Sequence, residues 1–272
     1  MIPEKIQQFA PALSLYRYHE IPVLQLDHAV GSAKIALQGA QLLSWKPHKG
    51  NEDILWLSEI EPFIAGNMIR GGIPLCYPWF GNAQMPIHGT ARLRLWQLRE
   101  YRIETDKVRL VFDLFDENNR LEAGLTMLFS EKCELIFTHH ATQAAQLAFH
   151  SYFRVGEIEQ IGIVQASDSG FNAITGQSEN VPHMRKIQSA VDCIYRDNID
   201  RNQILDPQLA RTIEIRHHNA GEMVLWNPWQ TPMSAMRPQD YRRMICVETA
   251  RISRPLTQGE SVAVEILCRG LN

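Results

Sequence analysis

Four short stretches of this 272-residue chain hold residues capable of acid, base or anion chemistry in surroundings that need explaining. IRGGIPLCYPWFG, at 69–81, opens with Arg70 beside a Gly-Gly pair, so main chain and guanidinium can approach an anion together. A tight loop whose arginine pairs with a core carboxylate is the plain alternative. IHGTARLRLW, at 87–96, follows its Gly89 turn with Arg92 and Arg94 on one face of an expected strand, either binding an anion or simply solvated. His88, before that glycine, is a candidate substrate contact or a turn residue bonded to backbone. LAFHSYFRVGE, at 147–157, sets His150 inside an aromatic strand, as a proton carrier or a satisfied core group. RRMICVETARI, at 242–252, places Glu248 after a nearly continuous apolar run, where a carboxylate is costly to bury without partners. It is either a functional base or half of a buried ion pair with an arginine such as Arg92 or Arg251.

Other candidates are weaker. His139-His140 and His217-His218 are adjacent pairs whose rings face opposite ways on a strand, and no HExxH exists, so no metal is expected. Neither GxGxxG nor GxxxxGK[ST] occurs, so no nucleotide loop is expected. Trp226 and Trp229 of WNPW could stack on a sugar ring or belong to the core. The five cysteines are odd in number and never in a CxxC pair, which reads as small core residues in a reducing compartment. A formal net charge of −3 argues against nucleic-acid or anionic-membrane partners, though a single phosphate needs only two or three local cations.

The elements that must position these residues are strands. KVRLVFDLFD alternates Val108, Leu110, Phe112 and Leu114 against Arg109, Val111 and Asp113, and SVAVEILC alternates in the same way. CELIFTHHAT, ILWLS, MVLWN and RRMICVETA also read as strands, with turns at 47–50, 116–119, 227–228, 238–240 and Gly259. No capped helical stripe of three turns appears. The expectation is an all-β antiparallel sandwich over 1–272 as one domain, with 177–202 as a long loop near the site. No run of about 18 apolar residues and no signal peptide is present, so a cytoplasmic protein is expected.

Taken together, LQGAQLLSWKP, ILWLS, IRGGIPLCYPWFG, HGTAR, FHSYFRVGEI, WNPW and ICVETA, in this order, resemble the hexose-6-phosphate mutarotase branch of the aldose 1-epimerase family. The likeness runs from Leu37 to the C-terminus and is poorest between Glu157 and Asp192. The resemblance implies a galactose mutarotase-like fold, a twisted supersandwich of two large antiparallel sheets, with a cleft on one concave face. It implies His150 as general acid, Glu248 as general base, Arg70 and Arg92 as ligands of a phosphorylated sugar, and Asp192 of VDCIY as a substrate contact. It further implies anomer interconversion of a hexose 6-phosphate by a monomer without cofactor. Glu248 would be ionised at neutral pH, and His150 would need help to stay protonated. Cys193 stands where the family carries an arginine, and HGTAR lacks the aromatic often found after HG; both departures fall near the expected site. A mutarotase for unphosphorylated sugars and a non-catalytic sugar-binding protein are the competing readings.

Overall fold

A computed structural model describes residues 3–47, 52–165, 167–197 and 199–270. The turn expected over 47–50 lies, beyond Pro47, outside the described residues. Three antiparallel sheets of five, nine and eight strands account for nearly all regular structure, with two short 3-10 turns at Ala91–Leu93 and Asp240–Arg243. The third, five-stranded sheet (Glu4–Ala10 to Gln41–Pro47) is an addition to the two large sheets that the resemblance implies.

Alternation explains which faces meet. Along Lys132–His139, Cys133, Leu135, Phe137 and His139 are buried while the residues between them are half-buried. The inward rows of all three sheets merge in one apolar cluster, which includes Leu13 and Trp45, Phe112 and Phe137, and Phe149 and Val247. Full burial of each such side chain stabilises by about 1.5–3 kcal/mol, which sets strand register firmly, because a one-residue slip would turn the row outward.

The eight-stranded sheet carries the chemistry. Its order runs Gln177–Asn180, Ser169–Asn172, Val191–Tyr195, Glu222–Asn227, Met244–Leu256, Ala145–Phe149 and Leu75–Cys76, and Tyr152–Arg154 also pairs with Met244–Leu256. On Met244–Leu256, Val247 joins the core, so Cys246, Glu248 and Ala250 point to the opposite face. Two small apolar clusters floor that face: Trp56, Tyr152, Met244 and Cys246, and Cys76, Ala148, Val224 and Ala250.

Several local expectations are corrected. The 54–58 stretch is no continuous strand and makes only isolated bridges, Leu55 to Phe153 and Leu57 to Gly71. The 177–202 stretch is no simple loop: Gln177–Asn180, Met184–Arg185 and Val191–Tyr195 are strands held by their neighbours. No helix of the described residues is long and apolar enough to cross a membrane.

Candidate active site

His150 sits at a break between two strands, Ala145–Phe149 and Tyr152–Arg154, not inside one as its aromatic neighbours suggest. Its amide donates to the Pro74 carbonyl (3.0 Å), and the amide of Ser151 folds back to Phe149 (2.9 Å). This irregularity re-aims the imidazole toward Glu248, whose Oε1 lies 3.5 Å from Nε2. Glu248 stands opposite Val224 in the register, 1% exposed, and His150 is 7% exposed. His150 Nδ1 and Glu248 Oε2 are buried with no hydrogen-bond partner among the described residues. Native interiors rarely tolerate such groups without a ligand or water to satisfy them.

The ion pair considered for Glu248 does not form. Arg251 is fully buried elsewhere, on Asn219, the Arg254 carbonyl and Glu260. Arg92 donates to the Ile87 carbonyl (2.6 Å), and its Nε is buried without a partner. Arg94 does not share a face with Arg92, because Ala91–Leu93 is a 3-10 turn; it bridges to Glu122 (2.7 Å). Arg70 is 8% exposed and donates from its side chain to Tyr152 Oη, Ser234 Oγ and the Ser234 carbonyl. Among the described residues neither Arg70 nor Arg92 forms a salt bridge.

Gly71 and Gly72 are required by the close approach of the chain to itself. A Cβ on Gly71 would lie 2.5 Å from the Trp56 carbonyl oxygen, and one on Gly72 would lie 2.2 Å from that of Leu42. The Gly72 amide is spent on Trp56 (2.7 Å). His88 is a turn residue bonded to backbone, as one expectation had it: its Nδ1 accepts from the Gly81 amide (3.1 Å) in a turn of positive φ, and its ring meets His150 edge-on at 5.6 Å.

Asp192 lies on the site face opposite Trp226, half-buried. Cys193, its neighbour, faces the core, so this departure does not line the site. Its thiol donates to Glu179 Oε1 (3.4 Å), which Arg185 neutralises from 2.7 Å. Trp226 packs edge-on against His150 and Tyr152, whereas Trp229 packs on Tyr241 at the core edge. Tyr152, Trp56, Ser234 and Met236 are site residues that the sequence reading did not single out. Tyr152 was legible, two positions after His150. Ser234 was not, being 164 residues from Arg70.

Burial governs the charges. It pushes the His150 imidazole well below its ordinary value, helped by His88, Arg92 and Arg70, and pushes the Glu248 carboxyl well above its own, helped by Asp192. Both shifts work against the charged forms, so burial acts against the ionised glutamate that the sequence reading expects. Burial also raises Asp192 and brings His88 down to about 4, with Arg92 and Arg70 adding to the latter. No group of three His, Cys, Asp or Glu among the described residues is placed to hold a metal ion. Two cavities of about 580 and 1050 Å³ lie elsewhere, lined by residues such as Trp79, Glu122 and His140 and by Gln208, Arg211 and Cys268. Neither cavity is lined by His150, Glu248, Arg70 or Arg92.

The chain is an all-β protein of antiparallel sheets with a buried histidine–glutamate pair, and it belongs to the aldose 1-epimerase family, whose sequence profile matches residues 22–269. Among its relatives, a Haemophilus influenzae protein provisionally named glucose-6-phosphate 1-epimerase is 46% identical, over 97% of this chain and 98% of its own length. An Escherichia coli protein of the same provisional name is 34% identical, over 91% and 89%. The crystal structure of HI1317 superposes with a TM-score of 0.98 at 51% identity, covering 99% of this chain and all of that one. That of a provisionally named Salmonella typhimurium mutarotase gives 0.93 at 31% identity, covering 98% and 97%.

Proposed function

We propose that this protein interconverts the α and β anomers of a hexose 6-phosphate, glucose 6-phosphate foremost, with Glu248 as base and His150 as acid. The observation that carries this reading is a buried histidine–glutamate pair set beside two arginines that, among the described residues, lack a carboxylate partner. The pair suits a hemiacetal, and the uncompensated cations suit an oxyanion. The name of the Haemophilus influenzae relative supports the same substrate.

The chemistry balances on one shared proton. Glu248 takes the anomeric hydroxyl proton, the bond between C1 and the ring oxygen breaks, and His150 protonates that oxygen. Rotation beside the resulting aldehyde exposes its other face, and the reverse steps close the other anomer. Before opening, the pair is carboxylate and imidazolium; after opening, it is carboxylic acid and imidazole. Burial favours the second state, so the site's low polarity assists ring opening. Arg70 and Arg92 disfavour the imidazolium. A bound phosphate dianion would neutralise them and let His150 take up the proton it must donate. Asp192 and His88 would hold sugar hydroxyls, the neutral His88 as a donor from Nε2.

All five cysteines are free, four of them buried, which supports a reducing, cytoplasmic setting. Exchange NMR of glucose 6-phosphate with purified protein tests the reading. Exchange between the anomers should rise well above the buffer rate without added metal or nucleotide. Exchange at the buffer rate for every hexose phosphate would leave a sugar-binding protein instead.

A further inference from the structure

Arg70 has little left to give a ligand directly. A guanidinium has five N–H donors, and four of them are engaged here: Nε with the Ser234 carbonyl (3.2 Å), Nη1 with Tyr152 Oη (3.0 Å), and Nη2 with Ser234 Oγ (3.2 Å) and Met68 Sδ (3.9 Å). The edge that best fits two oxyanion atoms at once, Nε with Nη2, is held by a single residue, Ser234. A direct two-bond grip on phosphate would first have to break that contact.

The two hydroxyls around Arg70 offer another route. Each accepts from the guanidinium, so each retains its own hydrogen. Among the described residues neither hydroxyl donates to any acceptor. A hydroxyl that accepts from a cation is polarised and becomes a stronger donor. Burial raises the Tyr152 phenol, so it keeps its hydrogen across neutral pH. Tyr152 is 2% exposed, and its ring lies parallel to His150, 4.8 Å away and tilted by 7°, which holds the hydroxyl in a fixed relation to the acid. Ser234 belongs to an exposed turn, so the two hydroxyls flank Arg70 from the floor and the rim.

We propose that Tyr152 and Ser234 are binding residues for the substrate's phosphate, their hydroxyls donating to its oxygens while Arg70 lies behind them as the countercharge. This rests on the phosphorylated-hexose reading above. Such donors are held in place by the guanidinium, which favours their meeting an anion without rearrangement. A neutral hexose gains little from them, because the cation behind has no charge to meet.

The test uses Tyr152→Phe and Ser234→Ala, singly and together, with glucose 6-phosphate and glucose as substrates and inorganic phosphate as inhibitor. Phenylalanine keeps the ring against His150, and alanine keeps the backbone carbonyl on Arg70. Each change should raise KM for glucose 6-phosphate and the inhibition constant of phosphate by about 10-fold or more, the loss typical of one hydrogen bond to a charged group. KM for glucose should rise much less, and the acid limb of the pH profile should stay in place. Unchanged KM for glucose 6-phosphate, or equal rises on both sugars, overturns the proposal. If phosphate binding falls in Arg70→Ala but not in the hydroxyl variants, this inference alone fails. If the unmodified protein neither prefers glucose 6-phosphate nor binds phosphate, the substrate reading fails and takes this one with it.

Discussion

Nε2 of His150 lies 3.5 Å from Oε1 of Glu248, close enough for an ion pair yet beyond a well-formed hydrogen bond, with both groups withdrawn from water. The pair must carry one proton to work, and its two titrations belong to the pair as a unit. A second proton must go on the imidazole, which burial, His88, Arg92 and Arg70 hold well below 6.5. The last proton leaves Glu248, which burial and Asp192 hold well above 4.5. Acid loss of kcat/KM should therefore come below pH 6.5, and alkaline loss well above 4.5. An acid limb centred at or above 6.5 would contradict this placement of the proton.

Glu248→Gln keeps the shape of the side chain but cannot accept a proton, and His150→Asn removes the acid. Each should lower turnover by at least about 100-fold, the lower range for a positioned acid or base, with sugar binding retained. Near-normal anomer exchange in Glu248→Gln would show that the base lies elsewhere.

Arg92→Ala removes a donor and should weaken glucose 6-phosphate by roughly 10- to 150-fold, corresponding to about 1.5–3 kcal/mol for a charged hydrogen bond. Arg70→Ala removes the countercharge behind Tyr152 and Ser234 and should weaken it by about 10-fold or more. Both losses should be far smaller on glucose. Either change also removes a cation that depresses His150. The acid limb should consequently move to higher pH. Equal losses on both sugars, with the limb unmoved, would mean that the arginines only shape the cleft.

What could be read from the chain depended on the range of the interactions involved. Glu248 was legible because a carboxylate in an apolar run demands an explanation, and strand alternation alone puts it on one face with Cys246 and Ala250. Arg92 and Arg94 misled because Leu93 and Leu95 give the same alternation. What bends that segment is distant, since the amides of Thr90 and Ala91 both donate to the Tyr77 carbonyl. Gln177–Asn180 was missed because it is mostly exposed and has no apolar row; pairing with Ser169–Asn172 makes it a strand. The break at His150 depends on Pro74, brought in from another segment, and the Ser234 turn leaves no trace in local pattern at all.

A buried chain of hydrogen bonds runs beneath Glu248, the proposed base. His217 Nδ1 meets Thr249 Oγ1 at 2.6 Å, and Nε2 meets Asn202 Oδ1 at 2.9 Å, so one polar thread joins the nine-stranded sheet to the residue after Glu248. Asn202 Oδ1 can only accept, so Nε2 carries the hydrogen and Nδ1 accepts from the threonine hydroxyl. Burial, with His218 adding, brings His217 down to about 3 from an ordinary 6.5. The folded state therefore resists a proton that the unfolded chain takes up readily below pH 6.5. Stability is intact above that value and falls as the pH drops toward 3, by up to about 1.4 kcal/mol per pH unit from this group. His217→Gln keeps a donor and an acceptor but does not titrate. In urea unfolding at pH 7, 6, 5 and 4, its stability should fall less steeply than that of the unmodified protein. Identical slopes for the two would show that His217 is not the group that makes acid costly here.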